Sequence, residues 1–108
     1  MISVAITKRN NEYYSILFDG HAGYAESGYD IVCSAVSVLV LNTINSIEKF
    51  TDDAMTTEYD EESGHIFTTF PKSLSEKSQV LLDAMLLGLE EIKQQYGDEY
   101  ISLLYKEV

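Results

Sequence analysis

Over residues 1–7, Ile2, Val4 and Ile6 alternate with Ser3, Ala5 and Thr7. A period of two marks a strand with one buried face. Lys8, Arg9, Asn10 and Asn11 read as a turn. Residues 13–18 are aromatic and β-branched enough for a second strand, so the chain opens with a hairpin. Residues 20–28 hold three glycines and predict an irregular loop. From Asp30 the period changes. Asp30 is a good N-cap, and residues 31–50 have the length of a helix. That helix is apolar nearly all round, with Val36, Val38, Leu39, Val40, Leu41, Ile44 and Ile47. Such a helix is either central in the core or shared with a partner chain. Its β-branched residues lower its intrinsic propensity, so packing must hold it.

Residues 55–59 and 65–70 flank Asp60-Glu61-Glu62-Ser63-Gly64, a second hairpin with an acidic turn. Ser73 or Ser75 can cap the next helix. Val80, Leu81, Ala84, Leu87, Leu89 and Ile92 form its apolar stripe, which ends near Tyr96-Gly97. Residues 100–105 form a last strand. The order ββαββαβ predicts an α+β sandwich, two helices on one face of a mostly antiparallel five-stranded sheet. The 108 residues suffice for one core, so residues 1–108 are read as one domain.

Charge narrows the partners. Acids number 18 and bases 7, a net charge of −11. Phosphate binding needs clustered Lys and Arg, so direct binding of nucleic acid is disfavoured. Anionic membrane surfaces are disfavoured too, and the stretch 31–41 is too short and too mixed to cross a bilayer. Basic proteins are the electrostatic complement. The excess is uneven, with net −2 over residues 1–50 and −9 over residues 51–108. The second half therefore reads as scaffold with a solvated acidic face. No secretory signal is visible, and the cytoplasm is the default location.

Candidate chemistry concentrates between residues 20 and 37. Cys33 is the only cysteine, which excludes an internal disulfide and a multi-thiolate metal site. With Asp30 as N-cap it would sit at the third helical residue, where the helix dipole favours the thiolate. His21 ends the preceding strand, and the glycine loop could fold it onto Cys33 as general base and acid. Asp30 is the nearest candidate to orient His21, although capping competes for it and its charge opposes the thiolate. Each feature also has a plainer reading. A lone cysteine on an apolar helix is commonly a small buried hydrophobe. Ser34 and Ser37 suit backbone carbonyls, Tyr24 and Tyr29 suit packing, and His65 reads as a structural strand residue. Two further functions fit these residues: a non-catalytic acidic binding module for a basic protein, and a thiol redox sensor.

The segment Gly20-His21-Ala22, a glycine-containing loop, and Gly28-Tyr29-Asp30-Ile31-Val32-Cys33-Ser34-Ala35-Val36-Ser37 resembles the ribosomal-processing cysteine protease (Prp) family. The resemblance spans essentially the whole chain, with its sharp motifs confined to the first half. It implies a catalytic dyad of His21 and Cys33, no cofactor, and a small cytoplasmic bacterial homodimer. It implies that the substrate is a large-subunit ribosomal protein, whose short N-terminal extension is removed after an aromatic-containing sequence. Ser34 departs from the alanine or glycine that many members carry there. On this reading Gly20, Gly23, Gly28, Tyr24, Tyr29, Ser34 and Ser37 form the peptide-binding surroundings of the dyad.

Overall fold

The computed structural model describes residues 2–20, 27–60 and 62–108, with residues 27–30 as backbone. The elements are β1 (Ile2–Arg9), β2 (Glu12–Asp19), α1 (Ser27–Phe50), β3 (Thr56–Asp60), β4 (His65–Thr69), α2 (Glu76–Tyr96) and β5 (Ile101–Glu107). The strands form one sheet in the order β3-β4-β2-β1-β5. Three pairings are antiparallel, and β5 runs parallel to β1. This is the expected ββαββαβ sandwich.

Local chemistry explains both hairpins. Asn10 and Asn11 take φ of 52° and 64°, the two left-handed positions of a tight type I′ loop. Asparagine tolerates that conformation better than most residues. In the second hairpin Gly64 is left-handed at φ 69°, and its amide donates to the Asp60 carbonyl at 2.9 Å.

The helices are set by an apolar stripe and by caps. On α1, Val32, Val36, Val40, Ile44 and Ile47 recur at helical spacing and are buried. They pack on Ile2, Val4, Ile6, Ile16 and Phe18 of the sheet, with Leu82, Met85 and Leu89 of α2 completing the core. Each such side chain contributes about 1.5–3 kcal/mol of transfer free energy. By length and composition, Ile31–Phe50 is apolar enough to cross a membrane. The expectation drawn from residues 31–41 alone therefore understated this helix, although its buried stripe is that of a core helix. A Cβ on Gly88 would come within 2.6 Å of Leu39 Cδ2, so glycine leaves room for the Leu39 side chain between the two helices. Ser75 is the N-cap of α2, accepting from the Ser78 amide, and Gly97 is its C-cap. The Asp53 carboxylate braces this end. It accepts from the Ser75 amide (3.1 Å), the Ser75 hydroxyl (2.6 Å) and the Ser78 hydroxyl.

Two expectations about the helices need correction. On α2 the buried face is Ser78, Leu82, Met85 and Leu89, which recur at helical spacing, while Val80, Ala84 and Leu87 of the expected stripe stand exposed. Helix α1 begins at Ser27, not after Asp30. The positive end of the helix dipole favours an acid anywhere in the first turn, and Gly28, Tyr29 and Asp30 belong to that turn. Asp30 is not the N-cap.

Candidate active site

Cys33 projects from α1 toward the end of β2. Strand β2 carries Phe18 into the core and ends at Asp19, and Gly20 follows as a buried residue. A Cβ built on Gly20 would stand 3.4 Å from Cys33 Sγ and 2.9 Å from Phe18 Cζ. The strand exit and the thiol are therefore in contact range, and a side chain on Gly20 would collide with the Phe18 ring rather than with the sulfur. Cys33 is half-buried, so the sulfur has both an apolar wall and a route to solvent. A partly exposed thiol is the kind that reacts, whereas a fully enclosed one is inert.

The helix start changes the electrostatic argument. Cys33 is the seventh residue of α1, in its second turn. Macrodipole effects fall off within the first turn. The helix terminus therefore supplies little of any thiolate stabilisation.

The other anticipated residues divide. Gly20 and Cys33 are brought together. Ser34 lies exposed on α1 one residue beyond Cys33, and the half-buried Ser37 donates its hydroxyl to the Ser34 carbonyl at 3.2 Å. That bond is the backbone-directed role expected of a helical serine. Gly28, Tyr29 and Asp30 are in the first turn of α1, and their side chains lie outside the described residues. His21, Gly23 and Tyr24 lie outside the described residues altogether. His65 is paired in register with Asp19 of β2 and Asp60 of β3, so acids do neighbour it at this end of the sheet. Among the described residues, no group of three or more His, Cys, Asp or Glu is placed to hold a metal.

Two contributors escaped the sequence. Phe18 forms the wall under Gly20, and Gly64 brings the β3–β4 turn against the Gly20 carbonyl. The Ser63-Gly64 pair signals a turn, but nothing local signals where that turn docks.

A half-buried thiol beside a glycine at a strand exit, with a histidine next in the chain, supplies groups that thiol hydrolysis can use. Comparison with known proteins gives the family. The sequence profile of the cysteine protease Prp family matches residues 1–102. The ribosomal processing cysteine protease Prp of Staphylococcus aureus is 33% identical over 107 residues, covering 98% of this chain and all of that protein. Its counterpart in Bacillus subtilis is 30% identical, covering 91% of this chain and 92% of that one. A crystal structure of the S. aureus protease with a substrate peptide superposes with a TM-score of 0.90 at 32% identity. It covers 98% of this chain and 100% of its own. A second, with a covalently linked product peptide, gives 0.86 at 33% identity with the same coverage. This chain belongs to the cysteine protease Prp family, and its reaction is peptide-bond hydrolysis.

Proposed function

We propose that this protease removes the N-terminal extension of a large-subunit ribosomal protein in the bacterial cytoplasm and so supports ribosome assembly. Cys33 is the nucleophile and His21 the general base and acid. The observation that carries the assignment is the approach of Gly20 to Cys33 Sγ, with His21 the next residue in the chain. Both relatives from S. aureus and B. subtilis bear the name ribosomal processing protease. The net charge of −11 suits a basic ribosomal substrate by long-range attraction.

The chemistry runs in two balanced steps. His21 takes the Cys33 proton, and Sγ attacks the scissile carbonyl carbon to form a C–S bond. The tetrahedral intermediate collapses as the C–N bond breaks, and His21 returns the proton to the leaving amine. Water, deprotonated by His21, then attacks the thioester, releasing the acid product and restoring the thiol. Gly20, Gly23, Gly28, Tyr24, Tyr29, Ser34 and Ser37 surround the peptide on this reading. Asp30, three residues before Cys33, is the acid assigned to orient the base.

The working form is a homodimer. Ile31 (55%), Val38 (65%) and Leu87 (64%) stand exposed on the helix layer. Beside them runs a groove of about 410 Å³ lined in part by Ala35, Leu39, Gly88 and Ile92. Apolar exposure of this kind marks an interface. Sedimentation showing only monomer at micromolar concentration would remove this part of the proposal. The function is tested by incubating the extended ribosomal protein with wild type, Cys33→Ala and His21→Ala, and sequencing the new N-terminus. Loss of cleavage in both variants is expected. Undiminished cleavage by Cys33→Ala would overturn the assignment.

A further inference from the structure

Gly64 ends the β3–β4 turn in the left-handed region, at φ 69°. A Cβ there would meet the Gly20 carbonyl oxygen at 2.9 Å and its carbon at 3.6 Å. In return the Gly20 amide donates to the Gly64 carbonyl at 3.4 Å. The two backbones thus touch directly, with no side chain between them. A Cβ on Gly20 would stand 3.4 Å from Cys33 Sγ. Gly20 thus lies next to both the hairpin turn and the thiol, and His21 is the next residue.

We propose that Gly64 is a positioning residue for the nucleophile Cys33: its missing side chain lets the β3–β4 turn seat on the Gly20 carbonyl and fix the end of β2 against the thiol. The inference rests on the cysteine-protease assignment above. It extends that assignment to a residue in the half of the chain that carries none of the family's sharp motifs. The atom a methyl group would strike belongs to the backbone, so it cannot rotate away as a side chain does. Ordinary contact begins near 3.4 Å, so turn and strand exit must separate by about 0.5 Å from 2.9 Å. A misplacement of about 1 Å can cost about 100-fold in rate, so half of that corresponds to about 10-fold.

The experiment compares Gly64→Ala, Gly64→Asn and Gly97→Ala with wild type. Asparagine adopts the left-handed conformation more readily than alanine, yet it carries the same Cβ. Gly97 also has a positive φ, 101° with ψ 164°, so alanine is strained there too, but a Cβ at Gly97 meets nothing within 4 Å. Two readouts are taken below each variant's melting temperature: kcat and KM on the extended ribosomal protein, and the pH profile of Cys33 alkylation by iodoacetamide. Both Gly64 variants are expected to lose about 10-fold in kcat with KM within about twofold. Their alkylation profiles should shift, while that of Gly97→Ala stays at wild type. If Gly64→Asn restores wild-type kcat and profile, the effect is turn strain and the inference fails. Wild-type behaviour of Gly64→Ala overturns it equally, and if Gly64→Ala does not fold, Gly64→Asn decides alone. Cys33→Ala in the same assay separates the two levels. If it is inactive while the Gly64 variants behave as wild type, only the positioning role falls.

Discussion

Substituting Gly20 by alanine probes the site most sharply, because its cost follows from the contacts a methyl group would make there. Gly20 has no left-handed φ, so its backbone accepts alanine and the effect is purely one of contact. The new methyl would meet Phe18 at 2.9 Å (Cζ) and 3.3 Å (Cε1), and Cys33 Sγ at 3.4 Å. The thiol distance is ordinary contact; the ring distance is not. Phe18 is 2% exposed and enclosed by the core, so the ring has little space to retreat. Overpacking of this kind costs about 1–3 kcal/mol. The alanine recovers about 0.4–1 kcal/mol by restricting the unfolded chain. A net loss of about 1–2 kcal/mol remains, or a melting temperature lower by roughly 5–15 °C for a domain of this size. The strand exit also shifts relative to Sγ, and kcat should fall about 10-fold. Thermal unfolding and the cleavage assay measure the two effects. Combining Gly20→Ala with Phe18→Leu removes the offending ring atoms, so the double variant should be more stable than additivity allows. A Gly20→Ala protein with wild-type melting temperature and kcat would refute the contact geometry on which the site rests.

Other consequences lie outside the site. Asp53 is held below its ordinary pKa, first by the Ser75 hydroxyl and then by that of Ser78. A depressed folded pKa contributes stability above the unfolded value, and that stability is lost as pH falls through the folded one. Asp53→Ala should therefore destabilise by about 1 kcal/mol at neutral pH, the low end for a partly exposed brace, and flatten the acid limb of the stability curve in urea titrations. Tyr13 is buried and donates to Asp83 at 2.5 Å; burial, then Asp83, raises its pKa. A raised folded pKa gives stability that is complete below the unfolded value of about 10 and is lost as pH climbs. Tyr13→Phe should cost about 1 kcal/mol at pH 7 and weaken the loss of stability above pH 10. Part of that loss should persist, because Tyr105, pushed up to about 12 by burial and by Glu90, titrates in the same range.

These contacts show which features a sequence carries on its surface. Helix α2 was readable at both ends because Ser75 and Gly97 act on their immediate neighbours. The hairpins were readable because alternation and turn residues are local. The start of α1 was not, since Gly28 resembles a loop residue and Asp30 a cap, while Ser27 upstream begins the helix. The parallel pairing of β5 with β1 joins the two ends of the chain. It depends on how α2 crosses the sheet, which no local pattern encodes. Cys33 stood out because it is the only thiol and sits within a recognisable segment. Phe18 and Gly64 did not, because their roles arise only once β2, the second hairpin and α1 converge on Gly20.

The central claim is that Cys33 Sγ becomes covalently bonded to the substrate. Rapid mixing of enzyme with excess extended ribosomal protein, acid quenching and intact-mass spectrometry test it directly. The account predicts a transient species heavier by the acyl mass of the released extension, mapping to Cys33 and absent from Cys33→Ala, which does not cleave. Cleavage by Cys33→Ala at the wild-type rate would contradict it.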